Sequence, residues 1–300
     1  MQAGVQTGEP LPGAGPAPAG RGPDFIGLGA QRSGTSWMYA CLYEHPGVHI
    51  PVKEIHFFSR EHHWAHGYDW YEDHFSRRPA AARAGEFSTS YLVDPATAGR
   101  IHRRYPDAKL IVSLRNPVER AYSNFQNDLM AGVVRPGTTF RAALAAHPEY
   151  VEQGRYFAQL TRYLRLFPRE QMLVLIYEDS LADPRGFIRA IYRFIGVDEA
   201  FVPSMLDTRV NEGRAPVFPV VDRVLGRASG LAVALGLERA WWVLKKSGIG
   251  HGIRRLNTRS GDAGERGPEP ALRRMLLGLL DADVAALERL LGRDLPEWRA

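Results

Sequence analysis

The chain has 300 residues, is 45% hydrophobic and carries one cysteine, Cys41, so it can bury a full core in one globular domain, and a disulfide-stapled secreted scaffold is excluded. Runs of about 18 apolar residues are missing, which excludes a membrane-spanning helix from the reading. A net charge of +5 favours anionic ligands without choosing among nucleotides, nucleic acid, glycans and lipid head groups.

Residues 1–23 are rich in Gly, Pro and Ala without the basic and apolar blocks of a signal peptide, and their composition predicts a disordered tail ahead of a domain over 24–300. Phe25 to Gly29 is a short apolar run, and Gly34 to Leu42 has helical character until His45-Pro46-Gly47 ends it; this is strand, loop, helix. Cys41 lies in that helix and is expected to be a packing residue. Lys109 to Leu114 reads as a second buried strand, followed by a helix to about Gly132. Asn116 would cap that helix, with Pro117 in its first turn and Glu119 closing a capping box. Met172 to Tyr177 is a third strand, followed by a helix from Asp183-Pro184 to Gly196.

Strands that are apolar throughout and alternate with helices predict a single-domain α/β fold. Its mainly parallel central sheet would have helices on both faces, and ligands of such a sheet gather at the strands' carboxyl ends. Residues 222–262 differ, with eight Lys/Arg against three acids and glycine interruptions. They read as a basic segment facing an acceptor or a membrane surface, where Trp241 and Trp242 stand beside Lys245 and Lys246. An amphipathic helix within 268–298 would clamp the core.

Gly29-Ala30-Gln31-Arg32-Ser33-Gly34-Thr35-Ser36 has the length and glycine spacing of a phosphate-binding loop, whose backbone N–H groups and helix N-terminus surround an anion. A nucleotide triphosphatase needs Lys directly after the second glycine; here that residue is Thr35, and the cation sits inside the loop as Arg32. The second strand ends in Leu114-Arg115, where such an enzyme would carry its Mg²⁺-binding Asp. Two strand ends bearing Arg suit an anion met by side chains, with no metal. Arg32 also stands where a dinucleotide fingerprint needs its third glycine.

Three segments together resemble the sulfotransferases that use 3'-phosphoadenosine 5'-phosphosulfate (PAPS). Gly29 through Trp37 is similar to that family's 5'-phosphosulfate loop. Leu114 through Ser123 resembles its 3'-phosphate motif, with Arg115 and Ser123 at the matching spacing, and Lys53-Glu54-Ile55-His56-Phe57-Phe58 resembles the heparan sulfate branch. Weaker likeness lies in Glu86 to Tyr91 and in Gly213-Arg214 after Asn211. Members of that branch usually have Lys where Arg32 stands and often Lys where Phe87 stands, so the reaction class carries over more firmly than a glycan acceptor.

The resemblance implies a sulfotransferase that moves a sulfuryl group from PAPS to a hydroxyl or amine of a carbohydrate, glycolipid or small-molecule acceptor by in-line displacement, leaving the bisphosphate PAP. Cofactor binding falls to Arg32, Ser33, Gly34, Thr35, Ser36, Trp37, Arg115, Ser123, Gly213 and Arg214. Arg32 would meet charge on the leaving group, Glu54 would be the base and His56 its reserve. Trp37 would pack on the adenine or in the core.

No metal is expected: five of the ten histidines fall between His56 and His74, yet no spacing there matches a zinc pattern. Trp64, Tyr68, Trp70 and Tyr71 would form an acceptor-facing loop or part of the core. Nucleic acid is not expected as a partner, a cytoplasmic location suits the lone cysteine, and contact with a membrane surface would run through 222–262. An atypical P-loop NTPase and a non-catalytic nucleotide-binding protein are the other two readings.

Overall fold

The structure, a computed structural model, describes residues 15–18, 20–207, 215–216, 258–259 and 267–299. Gly213, Arg214 and all of 222–262 except 258–259 lie outside the described residues. The elements run β1 (Phe25–Gly29), α1 (Thr35–Glu44), β2 (Val48–His49), α2 (Glu61–Trp64), α3 (Gly67–Asp73), β3 (Arg83–Phe87), α4 (Thr97–Arg104), β4 (Lys109–Leu114) and α5 (Pro117–Ala131). They continue with α6 (Phe140–Ala146), α7 (Glu149–Glu152), α8 (Tyr156–Leu164), β5 (Met172–Ile176), α9 (Tyr177–Ala182), α10 (Pro184–Ile195), β6 (Ala215–Pro216), β7 (Thr258–Arg259) and α11 (Pro270–Leu291).

Five strands form one parallel sheet in the order β2-β3-β1-β4-β5. The order turns at β1: β2 and β3 lie on one side of it, β4 and β5 on the other. The carboxyl end of β1 is therefore a topological switch point, where such sheets bind ligands. Alternate residues of the apolar strands feed two cores. Ile26, Leu28, Leu110, Val112 and Leu114 pack with Phe57, Tyr71 and Tyr156, whereas Phe25 and Ile111 pack with Met38, Cys41 and Ile191. Burial on both faces explains the unbroken apolar runs of β1 and β4. Cys41 is fully buried, and burial, with Glu44 nearby, pushes its thiol up to about 12, so it packs and does not react.

β3 is a central strand whose sequence, Arg-Ala-Gly-Glu-Phe, lacks a strand's composition. Its partner β1 explains why. Phe25 pairs with Gly85 and Gly27 with Phe87; a Cβ on Gly85 would lie 2.4 Å from the Phe25 ring, and one on Gly27 would lie 2.0 Å from the Phe87 ring. Each aromatic ring occupies the space its partner glycine leaves open, edge to face at 6.5 Å. Phe87, where the resembling branch often has Lys, is thus a core residue.

α5 starts as expected at Asn116, whose side chain accepts from the backbone N–H of Val118 and Glu119, and it stops at Gly132 with φ 73°. The capping box does not close. The Asn116 N–H goes to Glu178 Oε1 at 2.9 Å, while Glu119 pairs with Arg273 of α11. Distant partners win, the Glu178 carboxylate of α9 and the Arg273 guanidinium of α11. α10 follows its expected bounds, from the Asp183 cap to Gly196 at φ 79°.

The boundary at residue 24 falls too late. Ala17 N–H donates to the Arg104 carbonyl at 2.8 Å, Arg104 donates to the Gly15 carbonyl at 3.0 Å, and Arg21 pairs with Glu72 at 3.1 Å, so residues of the expected tail are held on α3 and α4. The C-terminal helix lies within the expected 268–298: it ends at Leu291, Gly292 turns with φ 61°, and a 3₁₀ turn follows at Pro296–Trp298. Asp283 on α11 accepts from the N–H groups of Phe157 and Ala158 at 3.0 and 3.3 Å, capping α8 from outside. Ala215–Pro216 and Thr258–Arg259 pair antiparallel.

Candidate active site

The loop between β1 and α1 is pinned from β4. Ala30 N–H donates to the Ser113 carbonyl and the Ser113 hydroxyl donates to the Ser33 carbonyl, both at 2.7 Å. Gly34, with φ 80°, turns the loop into α1, and a Cβ there would lie 2.9 Å from the Tyr177 ring; a side chain is excluded by conformation and by space. Arg32 adopts φ 67°, the left-handed region, which few residues other than glycine occupy. Its Nε donates to Ser123 Oγ and its Nη1 to Asn127 Oδ1, each at 3.1 Å.

Arg115 lies beside it. Its Nη1 donates to the Arg32 carbonyl at 3.3 Å, its guanidinium stands 5.2 Å from the Tyr177 ring centroid, and its own carbonyl accepts from Tyr156 OH at 2.9 Å. Burial first, and Arg115 second, depress the Arg32 guanidinium below its usual value. Neither arginine has a carboxylate within ion-pair distance among the described residues. Two adjacent cations bonded to neutral groups make a site whose missing charge is an anion.

The opposite wall is Lys53 to His56. Glu54 and His56 both have positive φ, 63° and 54°, and three bonds hold them there: Glu54 N–H to the Phe87 carbonyl at 2.8 Å, His56 N–H to Ser88 Oγ at 2.8 Å, and His63 Nδ1–H to the Ile55 carbonyl at 2.7 Å. The Ser88 hydroxyl donates onward to Glu86 at 2.6 Å, and Glu86 also accepts from Tyr91 OH at 2.6 Å and Tyr71 OH at 3.1 Å. Glu86 is fully buried, which raises its pKa. His56 Nδ1 contacts Ser90 Oγ at 2.6 Å, leaving Nε2 3.7 Å from Glu54 Oε2. Lys53 Nζ donates to Glu54 Oε1 at 2.8 Å. His56 foremost, then Lys53, pull Glu54 down to about 2 against the opposing effect of burial.

Both walls face one cavity of about 530 Å³, within the range of small-molecule sites. It brings together Arg32, Gly34, Thr35, Ser36, Trp37, Glu54, His56, Arg115 and Ser123 from three separate stretches of the chain. Ser33 is the exception. It is fully buried and outside that lining, its Oγ has no protein partner, and its part is played by its carbonyl. Trp37 reaches the cavity but is mainly core: only 9% exposed, 5.8 Å from Phe187, with Nε1 donating to the Met205 carbonyl at 3.1 Å.

Asn127, Tyr177 and Gln153 also line the cavity and escaped the sequence reading. Asn127 was findable one helical turn beyond Ser123, and Tyr177 at the end of β5; Gln153 had no signal. Trp64, Tyr68 and Tyr71 do not face an acceptor: they are buried around Phe57. Histidines 63, 66 and 74 pack on Trp70, and among the described residues no three His, Cys, Asp or Glu side chains gather to hold a metal. Among the same residues, no helix is long and apolar enough to cross a membrane.

The sequence pattern of the sulfotransferase domain matches residues 22–212. Mouse heparan sulfate glucosamine 3-O-sulfotransferase 3B1 is 33% identical over 182 residues, 58% of this chain and 46% of that protein. Human heparan sulfate glucosamine 3-O-sulfotransferase 6 is 32% identical over 214 residues, 69% of this chain and 60% of that protein. The chain thus spans about half of these curated relatives. The crystal structure of a sulfotransferase from Alicyclobacillus acidocaldarius superposes with a TM-score of 0.67 at 30% identity, covering 93% of this chain and 99% of that one. Because the matched span takes in the Arg32 loop, the Glu54 segment and the Arg115 helix alike, the chain belongs to the sulfotransferase domain family.

Proposed function

We propose that the protein transfers a sulfuryl group from PAPS to a hydroxyl or amine of a carbohydrate, glycolipid or small-molecule acceptor. The observation that carries this reading is the pair Arg32 and Arg115, cationic and without an ion pair among the described residues, facing Glu54 across one cavity. The residues fit a bisphosphorylated nucleotide: neutral donors and guanidinium groups line the anion side.

PAPS would supply the sulfuryl group and a 5'-phosphate leaving group. Arg32, charged at every working pH, stabilises negative charge on that phosphate with Thr35, Ser36 and the N-terminus of α1. Arg115 and Ser123 hold the 3'-phosphate. Glu54 is already ionised and takes the acceptor's proton as its oxygen or nitrogen bonds to sulfur. His56 Nε2 stands within reach of the carboxylate and steadies it. The lone buried cysteine fits a reducing compartment, and a cytoplasmic setting is part of this reading.

Titration calorimetry tests the nucleotide assignment. PAP should bind without divalent metal and Mg-ATP should not compete; a protein that ignores PAP but holds Mg-ATP would sink the reading. A screen with ³⁵S-labelled PAPS over defined glycans and cell extracts then identifies the acceptor by the product that takes up label.

A further inference from the structure

Arg120 is among the largest fully buried side chains of the described residues. Buried arginines ordinarily face a carboxylate; this one forms no ion pair among the described residues. Its Nη2 donates to the Tyr150 carbonyl, its Nη1 donates to Gln153 Oε1 at 3.0 Å, and its Nε has no partner. It lies one helical turn before Ser123 on α5, behind the wall formed by Arg32 and Arg115. Burial, and then Arg115, lower its pKa below the usual value.

Gln153 connects this hidden cation to the cavity. A guanidinium only donates, so Gln153 must present its carbonyl oxygen to Arg120, and its NH₂ remains. That NH₂ has no protein acceptor among the described residues, and Gln153 lines the cavity with Arg115 and Ser123. The next residue, Gly154, fixes the approach: a Cβ there would lie 2.9 Å from Pro117 Cβ, in the first turn of α5.

Resting on the nucleotide reading above, we propose that Gln153 is a further ligand of the phosphate held by Arg115 and Ser123, with Arg120 as the positioning residue that turns its amide outward and adds a buried positive charge behind it. Together they select a nucleotide phosphorylated at the 3' position.

The test sets Gln153→Glu and Gln153→Ala beside the wild type, titrating each with PAP and with adenosine 5'-phosphate and recording thermal unfolding without nucleotide. Gln153→Glu gives Arg120 a carboxylate partner and cancels its field at the cavity. Its affinity for PAP should fall at least about tenfold, with affinity for adenosine 5'-phosphate nearly unchanged and an unfolding temperature equal to or above the wild type's. Gln153→Ala should lose PAP affinity by a smaller factor.

If Gln153→Glu gains stability and binds PAP like the wild type, the contact is structural only and the inference fails. An equal loss for both nucleotides would also overturn it. If Gln153→Glu does not fold, the PAP-to-adenosine 5'-phosphate ratio of Gln153→Ala decides. Failure of the wild type to bind PAP is a separate outcome, which overturns the sulfotransferase reading and this inference together.

Discussion

Arg32 sits at the meeting point of two chain segments: its backbone belongs to the loop after β1, and its side chain is bonded to Ser123 and Asn127 of α5. In the proposed reaction Arg115 serves binding and Glu54 serves proton transfer, so their replacements should separate in steady-state kinetics. Arg115→Ala should raise KM for PAPS by about tenfold or more with a smaller loss of kcat, whereas Glu54→Gln should lower kcat by about 10²–10⁴ with KM for PAPS near the wild-type value. Equal, small effects from both would contradict these roles.

The depressed Glu54 carboxyl fixes the sign of a pH effect. Its contribution to stability is complete above the unfolded value of about 4.3 and is lost only as pH falls through about 2. The base therefore stays ionised through the acid range in which proteins are usually assayed. Removing one of its cations with Lys53→Met should move the acid limb of the kcat profile upward, toward the ordinary carboxylate range; a pH–rate profile with an unmoved limb would show that another group sets it.

At the scale of elements, the site depends on backbone conformations at both walls. Gly34→Ala combines a φ of 80° with a Cβ 2.9 Å from Tyr177, so it should cost about 1–3 kcal/mol in thermal or denaturant unfolding and weaken PAP binding. Unchanged unfolding would show that the loop has room to relax. How legible these elements were depended on where their signals lie. β1, β4 and β5 were visible because burial on both faces makes them apolar throughout, and α5 and α10 because Asn116, Gly132, Asp183 and Gly196 mark their ends.

β3 was hidden because two of its five residues answer to β1 and not to their own strand: Gly85 makes room for Phe25, and Phe87 fills the space over Gly27. The anion wall of the site was legible from its loop and helix motifs. Glu54 and His56 were reached through the likeness of their segment, but their left-handed backbone was not legible, because the groups that hold it, Phe87, Ser88 and His63, act through contacts remote in sequence. Ser33 was misjudged for a similar reason, since loop motifs do not reveal which member turns its side chain inward.

Across the whole molecule, the last described segment supports the start of α5. Trp298 is 1% exposed, packs 5.8 Å from Tyr156, donates through Nε1 to Glu178 at 3.3 Å, and accepts through its carbonyl from Asn116 Nδ2 at 3.2 Å. Tyr156 in turn holds the Arg115 carbonyl. Trp298→Ala should destabilise the fold by about 3–5 kcal/mol in denaturant titration and weaken PAP binding even at temperatures where the variant is folded. Leu279→Ala, on the exposed face of α11, should do neither. Equal effects from the two would deny Trp298 its special place.

This tie makes the far end of the described chain part of the site's support: a chain cut between Ser123 and Trp298 keeps both arginine-bearing motifs but lacks the contact that secures Asn116. Cutting the chain ahead of Trp298 should therefore weaken PAP binding in calorimetry even though both motifs are intact.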